Sequence, residues 1–278
     1  MARSLPAAAC INDLSGIGRA SLTVAIPVLS AMGVQCCPLP TAILSAQTGF
    51  QHYSFVDFTP HIREYYANWQ KEDMPFDALY TGFLGSAEQI TLVREIAANM
   101  PENAFILVDP VMADNGKVYA TYTDEMCRGM RELVRIADIV TPNITEACLL
   151  TDTPYTGEAI DHETAQRLCE GVAALGPQAV VLTGVRVSET HIGSCLYRAE
   201  EGALCMIEKP LSTGRYPGTG DLFASVLCGA LLRGDSLEAA VDLAAGFVAH
   251  TTSYTFEKGA DPRHGVLFEH CLKELIER

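Results

Sequence analysis

The feature that most limits what this chain can fold into is an alternation of short apolar runs with longer amphipathic ones. Ala78-Leu79-Tyr80-Thr81 precedes a helical pattern from about Ser86 to Asn99, and Ala104-Phe105-Ile106-Leu107-Val108 precedes one from about Asp124 to Ile136. Asp138-Ile139-Val140 and Ala179-Val180-Val181-Leu182-Thr183 repeat the arrangement around a helix from about His162 to Leu175. Unbroken apolar strands separated by helices imply a mostly parallel sheet covered on both faces. Upstream, Ala7-Ala8-Ala9-Cys10-Ile11 reads as a buried strand that exits through Asn12-Asp13. Ser15-Gly16-Ile17-Gly18 reads as a turn, and Arg19 to Met32 as a helix closed by Gly33. Val34 to Leu44 is strand-like, with Pro38 and Pro40 arguing for an edge or an irregular piece. A helix starts near Pro60 and reaches about Gln70, its Tyr65, Tyr66 and Trp69 suiting a core or an interface. Ser194 to Tyr197 and Leu204 to Ile207 resemble a hairpin around Glu201-Gly202, and helices after Asp221 and Ser236 close the chain. With no linker, repeat or low-complexity segment, residues 1–278 are expected to form one α/β domain.

Composition narrows the partners. Hydrophobic residues make up 49% and charged ones 19%, the balance of a globular chain. Net charge is −15, which disfavours a nucleic-acid partner. Any phosphate site must then be built from backbone amides and metal. None of the 10 Cys forms C-x-x-C, so zinc spacing is absent and reduced, mostly buried thiols are expected. Pro6 and Asn12-Asp13 leave the first apolar stretch too short for a signal peptide, and no run reaches the length of a membrane span. A cytoplasmic location is expected.

Ligands of such sheets sit beyond the carboxyl ends of the strands. The residues collected there are Asn12, Asp13, Gly82, Asp109, Asn143, Glu146, Thr183 and Gly184. A second feature is Pro217-Gly218-Thr219-Gly220-Asp221 before an apolar run to Leu232. A glycine-rich turn opening a buried helix presents free N–H groups that attract phosphate. Asp221 has two readings there: a helix cap, or a base that takes a proton from a substrate hydroxyl while the amides hold a phosphoryl group. Glu146 also has two readings: with Asp109 it could hold Mg²⁺, or it could complete a capping box begun by Thr141 or Asn143. Together these parts suit phosphoryl transfer from MgATP to a hydroxyl. Other chemistries lack their motifs: Gly116-Lys117 is followed by Val118 rather than Ser or Thr, Gly16-x-Gly18 lacks a third glycine, and no G-x-S-x-G occurs.

The motifs resemble the ribokinase-like superfamily in its vitamin-kinase branch, the pyridoxal and hydroxymethylpyrimidine kinases. Gly218-Thr219-Gly220-Asp221 is similar to its G-x-G-D motif, Asn143-x-x-Glu146 to its N-x-x-E motif, and Asp109-Pro110-Val111-Met112-x-Asp114-x-Gly116 to the branch's D-P-V-M-x-D-x-G segment. Gly82-Phe83-Leu84-Gly85-Ser86 is similar to the G-Y-L-G-S run of pyridoxal kinases. The resemblance implies a mostly parallel sheet with helices on both faces and at most a small lid. It makes Asp221 the base, with the amides of Gly218, Thr219 and Gly220 as anion hole. ATP would meet Asp109, Asn143, Glu146, Thr183, Gly184, Thr213 and Gly214, and Mg²⁺ would meet Asp109 and Glu146, with a monovalent cation as a further candidate. The acceptor would meet Asp13, Gln47, Thr48 and Phe83. A vitamin B6 alcohol is the favoured acceptor, with hydroxymethylpyrimidine as the alternative and a sugar or no catalysis less favoured. A homodimer is expected. Two departures stand out: Asn12-Asp13-Leu14-Ser15-Gly16 is closer to the S-D-P-S-G of pyrimidine kinases than to the Ser-His-Val of pyridoxal kinases, and Phe83 replaces a tyrosine.

Overall fold

A computed structural model describes residues 5–212 and 214–276. Its strands are β1 (Ala7–Ser15), β2 (Gln35–Leu44), β3 (Phe55–Asp57), β4 (Ala78–Thr81), β5 (Phe105–Val108), β6 (Ala113–Asp114), β7 (Lys117–Val118), β8 (Ile139–Val140), β9 (Ala179–Arg186), β10 (His191–Arg198) and β11 (Ala203–Pro210). Its helices are α1 (Leu22–Ala31), α2 (Thr59–Lys71), α3 (Ala87–Ala97), α4 (Asp124–Val134), α5 (Ile144–Thr151), α6 (His162–Ala173), α7 (Thr219–Leu232), α8 (Leu237–Glu257) and the short α9 (Lys273–Ile276). Nine strands form one sheet in the order β11-β10-β9-β8-β5-β4-β1-β2-β3. From β9 to β2 the neighbours are parallel, while β10, β11 and β3 are antiparallel additions at the two ends.

Both faces of the parallel middle of the sheet are buried, which is why β1, β4 and β5 lack polar alternation. In β1, Ala7, Ala9 and Ile11 enter one core with Ile90, Val93 and Leu133 of α3 and α4. Ala8 and Cys10 enter the other, with Leu22, Val28, Leu227 and Val241 of α1, α7 and α8. Successive side chains of a strand point to opposite faces, so a run that feeds two cores must be apolar throughout. β1 is flanked by β2 on one side and β4 on the other, so chain order reverses direction there. Such a switch point opens a crevice beyond the strand ends.

Four details depart from the expectations. β1 does not end at Ile11 but continues to Ser15, paired with Ile43 and Leu44 after a register shift between Asn12 and Leu14. α1 starts at Leu22 rather than Arg19, because Ser21 takes φ 54° and its hydroxyl is turned to Asp13 instead of capping the helix. β2 lies second from the end, yet β3 pairs only with Ala42 to Leu44, so Pro38 and Pro40 occupy a stretch open on that side. Asn115 and Gly116, both at positive φ, close a β6–β7 hairpin. Asn-Gly between short strands is a strong hairpin signal, and the sequence reading took it only as part of a motif.

Candidate active site

The site grows from the first turn of α7. Gly218 is its N-cap at φ 79°, and a Cβ there would lie 2.0 Å from the carbonyl oxygen of Arg19. Only glycine meets both demands. The amides of Thr219, Gly220 and Asp221 open the helix and have no acceptor within it. Asp221 stands third in the helix and caps nothing, since the cap is a glycine. Its carboxylate turns to the register shift of β1, where Asn12 Nδ2 donates to Oδ1 at 3.0 Å.

Asp109 follows β5, 5% exposed. Its Oδ1 accepts from Thr141 Oγ1 at 3.0 Å, and a Cβ on Gly220 would sit 3.8 Å from its Oδ2. That second oxygen therefore faces the amide-lined turn. Burial, and then the charge of Asp221, pushes Asp109 up to about 8. Burial pushes Asp221 up to about 6, opposed by the Ser21 N–H and the Asn12 amide. Carboxylates brought together in a crevice hold protons, or a cation in their place.

Glu146 is the cap that its spacing allowed. Its Oε2 accepts from Asn143 N at 2.9 Å while Asn143 Oδ1 accepts from Glu146 N at 2.9 Å, a complete capping box on α5. Its Oε1 accepts from Met112 N at 3.1 Å. Burial, and then Asp109, raises its pKa. The donor set would suit Mg²⁺ at Asp109, while both oxygens of Glu146 are taken by backbone N–H groups, so Glu146 would act on an ion only through water. Asn143 Nδ2 donates to Ala113 O at 2.8 Å and so ties the hairpin to α5. Asn143 is bridged to Thr183 by one parallel β-bridge, and Gly184, at φ 74°, continues β9 rather than leaving it. Gly214 lies against the Tyr216 ring, and Thr213 lies outside the described residues.

On the acceptor side the structure assigns several polar groups to the scaffold. Asp13 is 7% exposed, and it accepts from the hydroxyls of Ser15 at 2.8 Å and Ser21 at 2.5 Å. Gln47 donates from Nε2 to Arg263 O at 2.8 Å and accepts at Oε1 from Gly49 N at 2.7 Å. The nitrogen end of its amide is tied to the C-terminal turn and the oxygen end to its own loop, while Thr48 beside it is exposed. Phe83 is half-buried, its N–H held by Asn12 Oδ1 at 2.8 Å. Of the two cap candidates, Asn143 is the cap and Thr141 instead holds Asp109, while no sequence signal pointed to Ser21 or Tyr119. The Tyr119 hydroxyl has its pKa raised by burial and then by the charges of Glu146, Asp114, Asp109 and Asp221. Asn12 was noticed only as a strand-end residue.

This fold is that of the ribokinase-like vitamin kinases. The phosphomethylpyrimidine kinase family model matches residues 18–266, and the chain belongs to that family. Family membership carries ATP-dependent kinase chemistry with it. The hydroxymethylpyrimidine/phosphomethylpyrimidine kinase of Bacillus subtilis is 31% identical over 195 residues, 68% of each chain. The chain spans 45% of the length of the bifunctional thiamine-biosynthetic enzyme of Arabidopsis thaliana, to which it is 27% identical over 243 residues, 87% of this chain. A Bacteroides thetaiotaomicron protein assigned as a phosphomethylpyrimidine kinase superposes with TM-score 0.95 at 39% identity, over 99% of this chain and 95% of that one. A second crystal form of that protein, solved with pyridoxal, gives TM-score 0.93 over 98% and 96% of the two chains. The pyridoxal kinase of Lactobacillus plantarum gives TM-score 0.91 at 29% identity over 99% and 98%.

Proposed function

We propose that this chain transfers the γ-phosphoryl group of ATP to the hydroxymethyl group of a vitamin B6 vitamer. The observation that carries it is Asp221: a carboxylate at the third position of α7, off the cap and turned toward the switch point, beside three amides free to hold a phosphoryl group. The alcohol oxygen bonds the γ-phosphorus, the bond to the β,γ-bridging oxygen breaks with ADP as leaving group, and the alcohol proton passes to Asp221. The amides of Thr219, Gly220 and Asp221 face the charge on the phosphoryl oxygens. Mg²⁺, when bound, would neutralise phosphate charge, and Asp109 is the residue that would hold it.

The pyridine acceptor is favoured by the pyridoxal found with the 39% identical Bacteroides protein. A second reading, hydroxymethylpyrimidine as acceptor, is favoured by the family model and the Bacillus relative. A panel of pyridoxal, pyridoxine, pyridoxamine, hydroxymethylpyrimidine and ribose with MgATP separates them. The expected outcome is the highest kcat/KM on a B6 vitamer. Preference for hydroxymethylpyrimidine selects the second reading, and turnover of ribose alone refutes both. The homodimer remains a proposal, now placed on β3, which ends the sheet with exposed Phe55 and Val56 next to exposed Ile43 and Tyr53, whereas Tyr66 and Trp69 pack on the core.

A further inference from the structure

Asn12 is 2% exposed within β1, at the register shift, and its side-chain amide has one possible orientation. Its Oδ1 accepts from two backbone N–H groups, Asp13 at 2.9 Å and Phe83 at 2.8 Å. Two donors at one end require the oxygen there. The nitrogen end must then face Asp221, to which it donates at 3.0 Å. Gly82, beyond β4, makes room: a Cβ at that position would lie 2.1 Å from Asn12 Nδ2. The neighbouring strand at the switch point thus sets the amide's place.

The surroundings explain why a donor is needed. Asp221 faces Asp13 from β1, Asp109 from β5, and the phenols of Tyr80 from β4 and Tyr119 from the hairpin. Two of these are carboxylates that repel it. Two donors oppose them, the Asn12 amide and the Ser21 N–H. Ser21 holds φ 54°, a costly backbone for a serine, and its hydroxyl binds Asp13 while its N–H turns to Asp221. Strain at this position buys alignment of both acids.

We propose that Asn12 is a positioning residue for the phosphoryl transfer: its amide fixes one oxygen of Asp221, so that the other takes the proton of the acceptor alcohol. This rests on the reading of Asp221 as base. Asn12→Asp tests it with almost no change of shape. The aspartate still accepts from Asp13 N and Phe83 N, but it places an oxygen where Nδ2 met Asp221. The expected result is a folded protein whose KM for ATP and for the alcohol changes less than about threefold while kcat falls at least about 10²-fold, the scale of general-base catalysis. Asn12→Ala removes the donor without adding charge, and its expected loss in kcat is about tenfold. Should the aspartate variant fail to fold, the alanine variant carries the test alone. Both changes are also made in an Asp221→Asn background, where neither should lower kcat further by more than about twofold. Near-parent kcat in Asn12→Ala, or the same loss in both backgrounds, overturns the proposal. Near-parent kcat in Asp221→Asn alone overturns the base itself, so the two failures read differently.

Discussion

Asp221→Asn should separate activity from stability in opposite directions. The carboxylate is held up to about 6 from an ordinary 3.8, chiefly by burial. A group raised in this way binds its proton more tightly folded than unfolded. The stability linked to it is therefore present below about pH 4 and lost as pH rises through about 6. At neutral pH the charged form costs the fold roughly 3 kcal/mol by that difference, reduced to about 1–2 kcal/mol because water reaches part of the half-buried side chain. Asparagine carries no charge, keeps the size and leaves the glycine cap untouched. The variant should melt about 2–6 °C higher at pH 8, with the gain vanishing near pH 4. It should lose at least about 10²-fold in kcat, with KM little changed. In the parent, kcat should fall as pH drops through about 6, where the base takes up its proton. Calorimetry and initial rates on the same samples check both. A variant that melts lower at pH 8, or turns over near the parent rate, refutes the account of Asp221 as a charged base held at a cost to stability.

Two further outcomes follow from the same geometry. Glu146→Gln presents an N–H to one of the two backbone donors, Met112 N or Asn143 N, that the carboxylate now accepts. It should destabilise the fold by about 1–3 kcal/mol and raise the Mg²⁺ concentration for half-maximal rate. Unchanged melting would refute the double backbone anchor, and unchanged Mg²⁺ dependence would confine the residue to capping. We also propose that two copies associate through β3 and its exposed Phe55 and Val56. Light scattering should give a dimer that Val56→Asp shifts toward monomer, and a stable parent monomer at working concentration would remove the proposal.

Much of this was legible in the chain because the signals are local. Ala78–Thr81 is a strand with the bounds its four apolar residues suggest, and Ser86 caps α3 where the helical pattern begins. Gly218 to Asp221 announced a helix opening with free amides, and Asn143-x-x-Glu146 announced a capping box, each within one turn of backbone. Other features were decided by groups far apart in sequence. β3 has three exposed residues and no pattern of its own, and it exists because Ala42 to Leu44 offer a ladder. Ser21 leaves the helix because Asp13 takes its hydroxyl. Gln47 looked free to meet a ligand until the C-terminal turn brought the Arg263 carbonyl to its amide. Composition and spacing could show that Asp109 and Asp221 are acidic. Only folding, which brings them into one crevice and lets Asn12 reach Asp221 over Gly82, sets how tightly each holds a proton. Ionisation depends on distance and desolvation, and the chain has neither until the sheet has assembled.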